Sequence, residues 1–115
     1  MNFEYTHDKI DDINLFVLKG ELIDKGQALQ FLYEIDKCIE KKDNKFILNL
    51  IDLKYMNSSG LNILINILTK SRKTGGDVAI AGLSKKVHEL LSITKLNSIF
   101  NIADSVTAAA EKLHS

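Results

Sequence analysis

The sequence contains no proline, no tryptophan and only one cysteine, Cys38, among its 115 residues. A chain of this length at average usage would carry about five or six prolines, so the composition is unusual. A single cysteine cannot form an internal disulfide, and it leaves no CxxC cluster to hold a metal ion. Three histidines, His7, His88 and His114, are scattered without metal-ligand spacing. We therefore expect them to face solvent and expect no metal site.

Net charge and long apolar runs are also missing. Fifteen Lys and Arg balance fifteen Asp and Glu, which gives a formal net charge of zero. Binders of nucleic acid or of membrane surfaces need a basic patch, so the balance argues against both classes. The densest apolar run, residues 61–68, contains two asparagines and falls short of the ~18 apolar residues of a membrane span. The first residues lack a secretory signal, so we expect a cytoplasmic protein without membrane insertion.

The remaining composition is that of a globular protein, with 45% hydrophobic and 26% charged residues. The length is close to the most common domain size, so we expect a single domain over residues 1–115. Apolar residues predict two short strands at 3–9 and 13–19, with a turn at the acidic pair Asp11-Asp12 between them. Gly20 is expected to end the second strand.

The rest of the chain alternates between helical spacing and continuous apolar runs. Helices are predicted at about 25–41, at about 59–74, from a cap at Ser84, and from Asp104. Strands are predicted at 46–50, at 78–81 and near 99–102, with a loop through 52–55. Gly75-Gly76 is expected to end the second of these helices in the left-handed conformation.

The predicted order of elements, β-β-α-β-α-β-α-β-α, defines the fold class. Helices that alternate with apolar strands imply right-handed crossovers and a mostly parallel sheet, so we expect an α/β fold. At this length the sheet should have four or five strands and about four helices, packed mainly on one face.

Motifs of common enzyme classes are absent. The sequence has neither the GxxxxGK[ST] loop nor the GxGxxG pattern that cradles phosphates, and Gly75-Gly76 follows a helix, the reverse of the phosphate-loop context. Residues 57–60 resemble a GxSxG nucleophile elbow, but the leading glycine is missing and no suitable His-Asp pair is evident. We expect no enzymatic activity and no catalytic residue.

The most informative segment is Met56-Asn57-Ser58-Ser59-Gly60-Leu61. Helix capping would account for one or two of its polar residues, because Asn and Ser accept hydrogen bonds from the first free backbone amides. Three polar residues before a glycine also describe an exposed hydroxyl that another protein can approach. The segment follows a central strand, at the end of the sheet where open α/β folds usually place their sites. The residues alone leave capping and function equally open.

Several segments together resemble a known family. They are Gly20-Glu21-Leu22, residues 46–50, Asp52-Leu53, residues 56–61, Gly75-Gly76 and residues 78–81. Over about residues 5–113 they resemble the STAS domain, and more narrowly the bacterial anti-sigma factor antagonists, whose motif reads D-L followed by M-D-S-S/T-G-L. The resemblance implies the STAS fold and a protein-binding switch in the regulation of transcription.

The resemblance also implies the partners. In its unphosphorylated form such a domain binds an anti-sigma factor, which is also a serine kinase with a histidine-kinase-like ATPase fold, and a sigma factor is released. Phosphorylation of the first motif serine, here Ser58 with Ser59 as the alternative, ends the binding, and a metal-dependent serine phosphatase restores it. ATP belongs to the kinase, so no cofactor is implied for this chain. We expect a monomer or weak dimer.

The predicted partner surface surrounds Ser58. The residues assigned to it are Gly20, Glu21, Asp24, Asn57, Ser59, Gly60, Asn62 and Ile63. We expect Gly60 to leave Ser58 sterically open and Ser59 to cap the helix. Ile63 and Ile67 lie beside a predicted core stripe of Leu61, Leu64, Ile65 and Leu68. Two interpretations stay open for this pair: packing under the first helix, or an exposed apolar patch where a partner docks.

Three positions depart from the family pattern. Asn57 replaces the usual Asp before the serine, Asp24 lies one place beyond its position in G-E-L-D, and Lys95 replaces a glycine after the third helix. The first two departures favour an alternative function, a STAS scaffold subunit that is not phosphorylated, for example in a lipid-transport ABC system. The serine acceptor, the double serine and the short chain favour the phosphorylated switch.

Overall fold

The computed structural model of the chain describes residues 2–114. Its strands are β1 (Phe3–Ile10), β2 (Ile13–Leu22), β3 (Lys45–Met56), β4 (Asp77–Ala81) and β5 (Asn101–Ala103). Its helices are α1 (Leu29–Glu40), α2 (Ser58–Lys73), α3 (Lys85–Ile93) and α4 (Val106–His114), with short 3-10 turns at Lys25–Ala28 and Leu96–Ser98. The order of strands and helices predicted from the sequence is confirmed.

Five strands form one sheet in the order β1-β2-β3-β4-β5. β1 pairs antiparallel with β2 through the turn at Asp11 and Asp12, and the other three pairs are parallel. The α/β class with a mostly parallel sheet is therefore confirmed. The parallel strands direct their carboxyl ends to one edge of the sheet, which is where β3 leads into α2.

The two faces of the sheet are covered unequally. The larger core lies under α1, α2 and α3 and is built from large side chains, among them Phe16, Phe31, Phe46 and Leu64. The smaller core lies under α4 and contains Ile13 and Ile47 with four buried alanines, Ala79, Ala81, Ala103 and Ala109. The prediction that the helices pack mainly on one face is confirmed, with α4 alone on the other.

β2 and β3 both extend past their predicted ends. Gly20 does not end β2: it adopts a left-handed φ of 87° inside the strand, next to a register shift, and pairing continues to Leu22. The loop predicted at 52–55 is likewise wrong, because β3 continues to Met56 along β2. Beyond Asn49, β3 is no longer paired with β4, so most side chains there are exposed and the segment has the polar composition of a loop.

The helix boundaries depend on their caps. α1 begins at Leu29 rather than near residue 25, because residues 25–28 form a 3-10 turn, which a capping box between Asp24 and Gln27 closes at its amino end. The Ser84 cap of α3 is confirmed, with its hydroxyl accepting from the Val87 amide at 3.3 Å. At α4 the Ser105 hydroxyl accepts from the Ala108 amide at 3.1 Å, and the helix begins at Val106, two residues after the predicted start at Asp104.

Left-handed residues follow three of the helices, the first being Lys42 after α1 with a φ of 62°. Gly75 has a φ of 87°, and the Gly76 amide donates to the Ser71 carbonyl oxygen at 2.9 Å, so the predicted glycine stop of α2 is confirmed. Lys95, after α3, has a φ of 61°, a conformation that costs a non-glycine residue about 1 kcal/mol. None of the helices within residues 2–114 is both long enough and apolar enough to cross a membrane.

Candidate functional site

Asn57 caps the helix that carries the serine pair. Its backbone is extended (φ −103°, ψ −172°), and its side-chain oxygen accepts from the Gly60 amide at 2.9 Å. This bond satisfies one of the first free amides of α2. The prediction that Ser59 caps the helix is therefore wrong, because α2 begins one residue earlier than expected and the cap falls on Asn57.

Ser58 and Ser59 occupy the first two positions of α2, and both are exposed. Ser58 borders a shallow depression of about 440 Å³ between the end of β3 and α3. The other residues that line this depression are Tyr55, Met56, Asn57, Lys86, Glu89, Leu90 and Ile93. The structure thus presents the Ser58 side chain to solvent at the carboxyl edge of the sheet, as the motif predicts.

Gly60 has a different function from the one expected. It is buried, and a Cβ atom at this position would overlap the carbonyl oxygen of Leu22 and lie 2.8 Å from the Met56 Cγ. The glycine therefore allows α2 to approach β2 closely. The interpretation that it leaves Ser58 sterically open is wrong, because the space beside Gly60 is filled by the strand, and Gly60 offers a partner no surface of its own.

Residues 20–24, which include three residues of the predicted partner surface, contact the start of α2. The Asn57 side-chain nitrogen donates to the Ile23 carbonyl oxygen at 3.1 Å. Asp24 is exposed and caps the 3-10 turn by accepting from the Gln27 amide at 3.0 Å. Glu21 is partly buried and pairs in register with Tyr55. The structure thus brings the 20–24 segment and Ser58 to one edge of the sheet.

Ile63 and Ile67 do not form an exposed patch. They are only 5% and 1% exposed and belong to the main core, so the predicted docking of a partner on Ile63 is wrong. The apolar sector of α2 is wide because the helix packs against β3, β4 and α1 together. Ile65, predicted in the core stripe, is only partly buried, whereas Asn62 is exposed as a partner-facing residue must be.

Two apolar side chains beside Ser58 were missed by the sequence analysis. Tyr55, near the end of β3, is 45% exposed, and Ile93, at the end of α3, is 80% exposed. Both line the depression next to Ser58. The sequence predicts a loop at Tyr55, and Ile93 lies two residues after the buried Leu91, on the opposite side of α3, where a polar residue is expected. Exposed apolar residues that adjoin a polar site are typical of protein-binding surfaces.

A second polar cluster, formed by His7, Asn14 and Glu34, lies at the opposite end of the sheet, where the parallel strands begin. His7 is exposed, as expected, and both of its ring nitrogens are held, by Asn14 at 2.8 Å and Glu34 at 3.2 Å. The ring stacks on Phe16 with centroids 4.1 Å apart. Asn14 is only 1% exposed and also donates to the Asp43 carbonyl oxygen at 3.2 Å. This cluster joins β1, β2 and α1, so its function is structural.

Burial shifts the pKa values of two side chains that contact this cluster, Tyr5 and Cys38. The pKa of Tyr5 rises to about 12, chiefly through burial and further through its hydrogen bond to Glu34 at 2.7 Å. Burial also raises the pKa of the Cys38 thiol, which favours the thiol over the reactive thiolate. Within residues 2–114, no three His, Cys, Asp or Glu side chains are grouped so that they could hold a metal ion.

Comparison with known proteins identifies relatives along nearly the whole chain. The family model of the STAS domain matches residues 5–109. A Thermotoga maritima protein named as a candidate anti-sigma factor antagonist is 30% identical over 90% of this chain and 92% of its own length. The anti-sigma F factor antagonist of Paenibacillus polymyxa is 26% identical over 98% of this chain and 97% of its own length.

Solved structures show the same architecture. The crystal structure of a candidate anti-sigma factor antagonist from Thermotoga maritima matches with a TM-score of 0.88 at 28% identity, over 96% of this chain and 95% of that chain. The Bacillus cell fate determinant SpoIIAA in its phosphorylated form matches with a TM-score of 0.75, over 95% of this chain and 98% of that chain. At 17% identity, the second likeness concerns the fold alone.

Proposed function

This chain belongs to the STAS domain family, and we propose that it is an anti-sigma factor antagonist that exchanges partners according to the phosphorylation of Ser58. Relatives that match it along most of their length carry that function in their names. The observation that carries the proposal is the exposed Ser58 side chain at the first residue of α2, beyond the carboxyl end of a central strand.

A phosphate on Ser58 is compatible with the fold. The amino end of a helix carries free amides and a partial positive charge, which stabilise a nearby anion by about 0.3–1 kcal/mol. The Gly60 amide donates to the Asn57 side chain, and the Leu61 amide donates to the Asn57 carbonyl oxygen. The amides of Ser58 and Ser59, the first two of α2, take no part in these bonds and lie next to the proposed phosphate. Modification is expected to leave the stability of the domain unchanged or slightly raised.

The same phosphate would oppose a bound partner. It adds about −1.5 to −2 charge at pH 7, which brings desolvation and repulsion where a partner covers the site. The chain has a formal net charge of zero, so one modification makes it net negative. Tyr55 and Ile93 beside Ser58 supply apolar area for the unmodified complex. A change that does not affect the fold can thus release a partner.

The proposed partner is an anti-sigma factor that is also a serine kinase, and a serine phosphatase reverses the modification. On this proposal the chain acts as a binding protein, with ATP and the catalytic step on the kinase, and it works as a single STAS domain over residues 1–115 in the cytoplasm. The exposed residues expected to meet the partner are Asp24, Ser59 and Asn62, with Asn57 and Glu21 partly buried behind them.

Phosphorylation is tested with the kinase-like anti-sigma factors encoded in the source genome. Incubation of the purified chain with each of them and ATP should add one phosphate, mapped to Ser58 by mass spectrometry. Ser58→Ala should abolish labelling, while Ser59→Ala, the matched change at the next exposed position, should retain it. Efficient labelling of Ser58→Ala would contradict the assignment and transfer it to Ser59.

Ser58→Asp separates the switch from a constitutive scaffold subunit. This variant should melt as the parent does, because a negative charge is favourable at the start of a helix. A switch requires its affinity for the anti-sigma factor to fall at least tenfold, whereas a scaffold subunit would bind its partner equally well. The partner is identified by isothermal titration of the anti-sigma factors with the unmodified chain, whose affinity is the reference for Ser58→Asp.

A further inference from the structure

The side chain of Asn57 uses both of its polar atoms at once. Its oxygen accepts from the Gly60 amide at 2.9 Å within α2, and its nitrogen donates to the Ile23 carbonyl oxygen at 3.1 Å, in the segment after β2. The residue is partly buried between the two. It therefore bridges two parts of the chain that are more than thirty positions apart in sequence. A cap needs only the first of these bonds.

The bridge continues into the 3-10 turn. The Gln27 side-chain oxygen accepts from the Ile23 amide at 2.8 Å and from the Asp24 amide at 3.1 Å, and Asp24 accepts in return from the Gln27 amide. Both backbone polar groups of Ile23 are thus held by side chains. On the other side, the bare α-carbon of Gly60 packs against the Leu22 carbonyl. The 20–24 segment is fixed to α2 by shape and by hydrogen bonds.

A carboxylate could not replace this bridge. An ionised aspartate only accepts hydrogen bonds, so it would keep the bond from the Gly60 amide but would set an oxygen against the Ile23 carbonyl oxygen. The bond would be lost and two acceptors would face one another. The asparagine at this position, where the family motif has an aspartate, is therefore matched to the carbonyl beside it.

We propose that Asn57 is a positioning residue that locks the 20–24 segment to the first turn of α2, and that its amide donor is what this chain requires. The lock makes the segment and the Ser58 region one rigid surface. The consequence for binding rests on the proposed function, since both parts then face the anti-sigma factor. The lock itself is a property of the chain alone.

Amide hydrogen exchange measured by NMR on the isolated chain tests the lock. At pH 7, Asn57→Asp should exchange the amides of Ile23 and Asp24 at least tenfold faster than the parent, with α2 beyond Leu61 unchanged. Asn66→Asp, the same chemical change at an exposed position of the same helix, should alter them less than twofold. A change under twofold in Asn57→Asp, or faster exchange throughout α2, would overturn the proposal.

Acidification supplies the rescue. When the introduced carboxyl group is protonated it can donate to the Ile23 carbonyl again, so the ratio of Asn57→Asp to parent exchange should fall below threefold at pH 3, about one unit below the ordinary pKa of an aspartate. Glu21, Asp24, Lys25, Lys86 and Glu89, the charged residues of the elements around this edge, are the same in every variant, so the ratio isolates the effect of the introduced carboxyl group. A ratio that persists at pH 3 would also overturn the donor function of Asn57.

Partner binding is measured separately. With the anti-sigma factor identified above, Asn57→Asp should weaken binding at least fivefold and Asn66→Asp less than twofold. Equal binding with faster exchange would show that the lock does not serve the partner surface, which overturns that part of the proposal. If no anti-sigma factor binds the parent, the proposed function fails while the exchange result stands.

Discussion

Gly60 and Gly75 are both required by the backbone, but for different physical reasons. Gly60→Ala would place a methyl group on the Leu22 carbonyl oxygen, and the close approach of α2 to β2 leaves no room for relaxation. We expect a loss of about 1–3 kcal/mol or more in the free energy of unfolding. Urea denaturation followed by circular dichroism measures it.

Gly75→Ala is the matched control. Nothing lies within 4 Å of a Cβ at Gly75, but its φ of 87° is unfavourable for alanine, so the loss should be about 1 kcal/mol and come from backbone strain alone. Equal stability of Gly60→Ala and the parent would show that the start of α2 can move away from β2, contrary to the packing described above.

Ile63 provides a second test at the scale of one residue. Because the side chain is only 5% exposed in the main core, Ile63→Asn should lose about 2–5 kcal/mol through lost packing and an amide with no hydrogen-bond partner. The thermal midpoint, recorded by calorimetry, reports the loss. Asn66→Ala on the exposed side of α2 should change stability by no more than about 0.5 kcal/mol. An unchanged midpoint for Ile63→Asn would restore the exposed-patch interpretation.

At the scale of elements, β1 is attached to α1 through Tyr5 and Glu34, and this attachment depends on pH. The pKa of Tyr5 rises from 10.0 to about 12 in the folded chain. Between these values the unfolded chain releases a proton that the folded chain retains, so the free energy of unfolding falls as pH rises through the window. We expect a fall of about 1–2 kcal/mol, less than two full pKa units would give, because the phenol is partly exposed.

Tyr5→Phe should remove this part of the pH dependence, as measured by urea denaturation at intervals from pH 9 to pH 11.5. Tyr33→Phe, at an exposed position of α1, should retain the slope of the parent. A parent whose stability is flat above pH 10 would contradict the described environment of Tyr5.

The elements that could be predicted from the sequence are those whose pattern reflects burial on both sides. Residues 46–50 and 78–81 are continuous apolar runs, and they form the central parts of β3 and β4. The outer part of β3 was missed because one paired neighbour and much exposed surface give a strand the composition of a loop. The 3-10 turn before α1 was missed because the spacing of apolar residues does not distinguish a single 3-10 turn from the first turn of an α-helix.

The site was predicted in position but not in its contacts. The run of polar residues after a central strand placed Ser58 correctly at the carboxyl edge of the sheet. The contacts of Asn57 and Gly60 with Ile23 and Leu22 could not be predicted, because they depend on how far β2 extends past Gly20. The spacing of residues along α2 does not show which part of β2 the helix contacts.

At the scale of the whole molecule, we expect substitutions on the two faces of the sheet to lower stability for opposite reasons, a cavity on one face and overpacking on the other. Leu64→Ala in the large core leaves a cavity and should lose about 2–5 kcal/mol. Ala109→Leu in the small core forces α4 away from the sheet and should lose about 1–3 kcal/mol. Thr107→Leu on the exposed side of α4 is the control and should leave the urea midpoint nearly unchanged. A stabilised Ala109→Leu would show that the small face contains unfilled space.

The alanine-rich contact under α4 also has a consequence for how this sequence can diverge over evolutionary time. On the large face, a substitution to a smaller side chain can be compensated by a larger side chain at a neighbouring position, so many positions can vary while the total core volume is kept. On the α4 face, Ala79, Ala81, Ala103 and Ala109 have almost no volume to exchange. Lineages of this chain should therefore drift freely under α1, α2 and α3 while these four positions accept little beyond glycine or serine.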